Sequence, residues 1–238
     1  MTRLGPAAPA EVLPIRGLPS PNWDARPPDT PIDMLILHYT GMPTAQAALD
    51  RLRDPAARVS SHYVVDEDGA VWRLVDEAHR AWHAGVSCWR GHETLNDRSV
   101  GIEIVNPGHE WGYRPFPALQ MAAVCDLCLG ILGRHPIPAR NVVGHSDVAP
   151  DRKEDPGELF DWPGLAANGV GLWPAPSRDA GAADDVPAAL RAIGYGEGDL
   201  PARLRAFQRH WSPGAVGGQA DAATRARLHS IATACNRA

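Results

Sequence analysis

No stretch of this 238-residue chain stays apolar for the ~20 residues that a membrane span needs. Its first residues, Met1 to Pro31, hold neither the apolar centre of a secretion signal nor a cysteine able to carry a lipid. These absences lead us to expect a soluble cytoplasmic chain, or a periplasmic one if a leader has been removed. Clustered positive charge is missing too. With 23 Lys and Arg against 28 Asp and Glu, the formal charge is -5, and without a basic run there is no footprint for a polyanion, so nucleic acid is not an expected partner. The four cysteines, Cys88, Cys125, Cys128 and Cys235, are too scattered for a disulfide framework. The C-x-x-C pair at Cys125 and Cys128 lies in an apolar run of helical length with no second Cys/His pair, so it reads as two small buried helix residues.

What is present describes a globular protein. Apolar residues make up 44% and charged residues 21% of the chain, and 238 residues suffice for one ordinary core plus a small second unit. The eight tryptophans suit stacking on sugars or apolar ligands as well as core packing.

Residues 1–31 are rich in proline and have little periodicity, which predicts an extended arm, with Trp23 available to pin it. Ile32 to Thr40 is a nearly continuous apolar run that reads as a buried strand ending at His38, and Thr44 is placed to cap a helix from Ala45 to Arg53. His62 to Val65 and Ala70 to Val75 flank an Asp-Gly turn, the pattern of a hairpin. Ser99 to Asn106 is a further strand, in which Glu103 points away from the face of Ile102 and Ile104. Pro117 to Gly133 has helical length, with Leu119, Val124, Leu127, Leu129 and Leu132 as expected apolar contacts. Strands alternating with helices predict an α/β domain over 32–173, with a mixed central sheet and flanking helices. A linker of small residues over 174–184 then leads to three amphipathic segments, predicting a small three-helix C-terminal domain over 185–238.

The loop from Val143 to Pro156 concentrates His145, Asp147, Arg152, Lys153 and Asp155. One imidazole and one carboxylate suit zinc, whose catalytic sites usually take three protein ligands and leave a position open, so a third ligand has to come from elsewhere. His38, Glu103 and His145 lie on or at the ends of three strands, the convergence that a site carried on a scaffold requires. A buried carboxylate at Glu103 is costly unless something uses it.

Ordered motifs along the chain add to this: Ser20-Pro21-Asn22 with Arg26, Leu37-His38-Tyr39-Thr40, Ser61-His62-Tyr63-Val64-Val65, Trp82-His83-Ala84-Gly85, Asn96-Asp97 with Ser99, Gly101-Ile102-Glu103-Ile104-Val105-Asn106, and Gly144-His145-Ser146-Asp147 through Lys153 to Asp155-Pro156-Gly157. In these the chain resembles the zinc-dependent N-acetylmuramoyl-L-alanine amidases of the AmpD and AmiD type, related in fold to peptidoglycan recognition proteins. The last three helices resemble the peptidoglycan-binding domains appended to such enzymes. The resemblance implies His38, His145 and Asp155 as Zn2+ ligands, Glu103 as acid/base and Lys153 as a stabiliser of developing negative charge. It implies peptidoglycan strands or muropeptides as substrate, in cell-wall recycling or turnover, and no protein partner. His83 reads equally as a substrate contact or a loop hydrogen-bonding group, and Arg152 as the partner of a substrate carboxylate or a solvated side chain. Together with Asn106 they are the candidate substrate-binding residues. His62 reads as structural and Asp147 as a brace of the loop. The alternative reading from another class is a recognition module that binds muropeptide without cutting it.

Overall fold

The structure, a computed structural model, describes residues 13–175 and 181–237. The first twelve residues of the expected arm and residues 176–180 of the expected linker lie outside that range. Among the described residues, ten strands and eight α-helices follow in the order β1 (Ile15–Gly17), β2 (Trp23–Ala25), β3 (Met34–Tyr39), α1 (Ala45–Arg53), β4 (Tyr63–Val65), β5 (Val71–Arg73), β6 (His79–Ala81), β7 (Cys88–Trp89), β8 (His92–Glu93), β9 (Ser99–Ile104), α2 (Gly108–Trp111), α3 (Ala118–Arg134), β10 (Val142–Gly144), α4 (His145–Val148), α5 (Trp162–Ala167), α6 (Val186–Ile193), α7 (Leu200–Trp211) and α8 (Ala222–Cys235).

The central sheet has the order β1-β5-β4-β9-β3-β10. It is mixed: β3 runs parallel to both β9 and β10, and β4 runs parallel to β9 but antiparallel to β5. The expected arm is extended but not free, because β1 joins the sheet edge beside β5 and β2 pairs with β6.

Alternation along β3 divides the molecule into layers. Leu35 and Leu37 face one apolar cluster with Ile102, Ile104 and the buried stripe of α3, namely Val124, Leu127, Cys128 and Ile131. Met34 and Ile36 face the other, with Val143, Val148, Leu190, Phe207, Leu228 and Ile231. Each such side chain contributes roughly 1.5–3 kcal/mol by leaving water, so both faces of β3 are anchored. The stripe of α3 is out of phase with two of its expected contacts. Leu119 is 70% and Leu129 42% exposed, because buried positions at 120, 123, 124, 127, 128 and 131 turn those two outward. Helices α6, α7 and α8 thus bury their apolar faces in one continuous cluster with the sheet. Among the described residues no helix is long and apolar enough to cross a membrane.

His38 continues the face of Met34 and Ile36, and Glu103 is its direct neighbour across β9. One step across the sheet in the other direction, Gly144 pairs with Leu37 and delivers His145 to the same end.

Candidate active site

His38 Nδ1, His145 Nδ1 and Asp155 Oδ2 form a triangle with sides of 3.0, 3.1 and 3.1 Å. All three residues are buried, and this is a group of donors able to hold a metal ion. Asp155 reaches the triangle because the loop closes on itself: Ser146 N–H donates to the Asp155 carbonyl at 2.8 Å. The close approach depends on Gly144, where a Cβ would stand 2.7 Å from Pro156 Cδ.

The proton inventory of the triangle follows from its surroundings. His145 Nε2 lies 3.1 Å from the Ala84 carbonyl, which only accepts, so Nε2 carries a proton and Nδ1 is the ring atom that faces Asp155. On the other side, the Ser99 hydroxyl donates to the Leu95 carbonyl at 2.7 Å and therefore accepts from His83 Nε2 at 3.1 Å. That makes His83 Nδ1 an acceptor, and it takes the proton of His38 Nε2 at 3.0 Å. The lone pair of His38 Nδ1 is thereby turned into the triangle. Burial, reinforced by the neighbouring His145, holds the His38 imidazole down to about 4, and burial also holds His83 well below the usual imidazole range. Burial alone would raise Asp155, but its contacts with His145 and His38 outweigh that and keep the carboxyl low.

Three buried donor atoms thus converge on one point, a set that a cation would satisfy. Donors bound at 2.0–2.1 Å to a tetrahedral zinc ion would stand about 3.3 Å apart, close to the observed sides. Two imidazoles and one carboxylate oxygen also suit zinc better than calcium or magnesium, which take oxygen ligands. The residues fit the group.

Glu103 stands beside this triangle, and its Oε2 is shielded from solvent without a partner among the described residues. Burial, then the charge of Asp155, push its carboxyl well above the ordinary value. Lys153 borders two clefts. One, of about 150 Å³, is lined by Glu103, His83, Trp82 and Ser60; the other, of about 310 Å³, is lined by Tyr39, His109, Arg152 and Asp155.

The remaining candidates are placed differently from one another. His83 is buried and committed at both ring nitrogens, to His38 and Ser99, so its side chain supports a triangle residue rather than facing a ligand. Asn106 is 1% exposed, with Nδ2 donating to Arg114 O and Oδ1 accepting from Gly108 N–H, and so braces the turn that borders the larger cleft. Arg152 is exposed and reaches the carbonyls of Ala84 and Val86. His62 is structural: its Nδ1 accepts from Gly101 N–H at 2.9 Å and its Nε2 meets Arg26. Burial and the adjacent Arg26 push that ring down to about 3. Asp147 braces the loop, accepting from Gly144 N–H at 2.8 Å. Ser99 and Gly101 belong to motifs quoted from the sequence, which gave neither of them a role at the site. The latter leaves room for the His83 ring, which a Cβ there would meet at 2.5 Å.

Comparison with known proteins adds a family match and a set of relatives. The family model described as N-acetylmuramoyl-L-alanine amidase matches residues 28–158. The Escherichia coli N-acetylmuramoyl-L-alanine amidase AmiD is 38% identical over 229 residues, covering 84% of this chain and 82% of that protein. The 1,6-anhydro-N-acetylmuramyl-L-alanine amidase AmpD of the same organism is 37% identical over 164 residues, covering 62% of this chain and 87% of that protein. Among solved structures, E. coli AmiD in complex with the substrate anhydro-N-acetylmuramic acid-L-Ala-D-gamma-Glu-L-Lys superposes with a TM-score of 0.77 at 34% identity, over 87% of this chain and 91% of that one. AmpDh3 of Pseudomonas aeruginosa with anhydromuramic pentapeptide gives 0.78 at 31% identity, over 87% and 94%.

Proposed function

Because the chain belongs to the N-acetylmuramoyl-L-alanine amidase family, we propose that it hydrolyses the amide joining the lactyl carbonyl of N-acetylmuramic acid to L-alanine in muropeptides, the 1,6-anhydro form included, as a zinc enzyme of cell-wall recycling. The observation that carries this reading is the convergence of three buried metal-ligating atoms within 3.1 Å of one another, beside a shielded carboxyl oxygen.

His38, His145 and Asp155 would hold the zinc ion. When bound, zinc supplies Lewis acidity, which draws the pKa of water from 15.7 towards ~7 and polarises a carbonyl. Glu103 takes the proton that water gives up on attack and passes it to the alanine nitrogen as the C–N bond breaks, so the net change is one water consumed and one carboxylic acid and one amine released. Such proton transfer is worth about 10² to 10⁴-fold. A carboxyl raised by burial suits the double task, since it both accepts the proton and holds it long enough to deliver it. The Lys153 ammonium, on the border of both clefts, faces the negative charge that develops on the carbonyl oxygen. The two clefts, which share Thr40 and Lys153, offer room for the muramyl portion and for the stem peptide. The relatives with bound anhydromuramyl peptides support this substrate class.

Metal analysis of the purified protein and digestion of a muropeptide test the reading together. About one zinc per chain and release of a free stem peptide are expected. Protein that takes up no zinc and frees no peptide after zinc is added would overturn it.

A further inference from the structure

Consecutive residues of α7 grip both ends of the loop that carries His145 and Asp155. Arg209, 8% exposed, pairs its guanidinium with Glu154, the residue before Asp155, and its Nε is 3.8 Å from Glu158. His210 Nδ1 lies at hydrogen-bond distance, 2.7 Å, from Asp147 Oδ2. Asp147 is fully buried and receives two further bonds. Tyr195 O–H, from the turn after α6, donates to Oδ1 at 2.5 Å, and Gly144 N–H donates to Oδ2 at 2.8 Å. The His210 ring is itself fixed between the stacked rings of Trp162, at 3.8 Å between centroids, and Trp211, at 3.7 Å.

From this we infer that the C-terminal helices are a positioning element for the zinc site, with His210, Tyr195 and Arg209 setting the distance between His145 and Asp155. The inference rests on the zinc reading above. Its physical ground is that three buried donor atoms from separate parts of the chain stand within 3.1 Å of one another, a geometry that the loop carrying two of them needs an outside frame to keep. Asp147 transmits the frame, because its bond to Gly144 N–H fixes the peptide that leads into His145, and Glu154 does the same one residue before Asp155. A buried carboxylate that loses one of three partners has to rearrange to recover it, and the backbone it holds moves with it. Side chains carried on helices hold such geometry more tightly than the loop itself can.

The test is zinc affinity of the full chain by chelator competition, with the visible spectrum of the cobalt-substituted protein and urea unfolding measured alongside. His210→Ala is expected to weaken zinc binding about 10 to 100-fold, the usual cost of losing an outer partner of a metal site, and to alter the cobalt bands. His210→Asn, whose amide can replace the Nδ1 contact, is expected to restore affinity to within a few-fold. Tyr195→Phe removes one hydroxyl and is expected to weaken zinc binding in the same direction; it decides the matter if His210→Ala does not fold. Wild-type zinc affinity and cobalt spectrum in Tyr195→Phe and in any folded His210→Ala, with only the urea midpoint lowered, would overturn the inference and leave the zinc reading standing. A wild-type chain that binds no zinc would overturn both.

Discussion

His38 Nε2 donates to His83 Nδ1 at 3.0 Å, and through that bond a ring from outside the loop decides which nitrogen of His38 faces Asp155. The relay ends on a carbonyl that cannot donate, Leu95 O, so its direction is set by chemistry rather than chosen. Replacing His83 by Ala leaves His38 free to take the other tautomer or to rotate. The expected outcome is a loss of zinc affinity of about 10 to 100-fold, checked by chelator competition. Ser99→Ala should do less, since it removes the acceptor but leaves the His83 ring in place. Gly101→Ala should resemble His83→Ala without touching a polar atom, because the new Cβ would meet the ring at 2.5 Å.

Glu103 separates catalysis from metal binding. Its partnerless Oε2 and raised pKa describe a carboxylate held at a cost, and such groups persist at functional sites. Glu103→Gln should bind about as much zinc as the wild type and lose about 10² to 10⁴-fold in kcat, with a thermal midpoint equal to or above the wild type because a neutral amide is cheaper to bury. Zinc analysis, steady-state rates and a melting curve on the same preparation check all three. Unchanged kcat would remove Glu103 from the mechanism.

The parts of this site visible in the sequence were those carried by strand periodicity. His38 at the end of an apolar run, Glu103 out of phase with Ile102 and Ile104, and His145 after Val142-Val143 each have a local signature, and strand pairing brings them together. Ser99 and Gly101 had no such signature. A small residue in a strand means something only when the ring lying on it is known, and His83 arrives from 16 residues away. The frame around Asp147 was hidden for a different reason. Charged and polar residues on an amphipathic helix read as its solvent face, yet Arg203, Arg209 and His210 of α7 are all buried, because α7 packs against the catalytic loop on the side where polar partners wait. The exposed Leu119 and Leu129 of α3 are the same error in reverse: apolar content marked the helix correctly, and the exact phase of its buried stripe did not follow from content.

Acid stability should report on a cluster that includes none of the three metal-ligating residues. Burial would raise the Glu77 carboxyl, but hydrogen bonds from Arg134 at 2.7 Å, Tyr63 at 2.6 Å and His135 at 2.6 Å outweigh it and bring it down to about 2 from 4.5. A carboxyl with a depressed folded pKa contributes stability that is complete above its unfolded value and lost as pH falls through the folded one. The window therefore runs from about pH 5 down to about pH 2. Half of the Arg134 side chain is solvent-exposed, so screening reduces the contribution to roughly 1–2 kcal/mol. Urea midpoints between pH 7 and pH 3 should fall for the wild type, and the fall should be shallower for Glu77→Gln, which starts lower.

Lys153 is the single lysine of the chain, which makes its role accessible to chemistry as well as mutation. An amine-directed acylating reagent can mark one side chain, besides the N-terminal amine, and so remove the charge that borders both clefts. If that ammonium stabilises the developing oxyanion, acylation should lower kcat by about 10² to 10³-fold, the usual cost of losing one such group. Zinc content should stay constant, since no lysine is among the three donors. A bound muropeptide should slow the labelling, because the substrate would lie across the amine. Lys153→Arg distinguishes charge from geometry: it keeps the cation but replaces a compact ammonium with a broader planar group, so partial activity is expected, well above that of Lys153→Ala. Acylated protein with full kcat, after mass spectrometry has shown Lys153 to be modified, would take this residue out of the mechanism and leave charge stabilisation to the metal site alone.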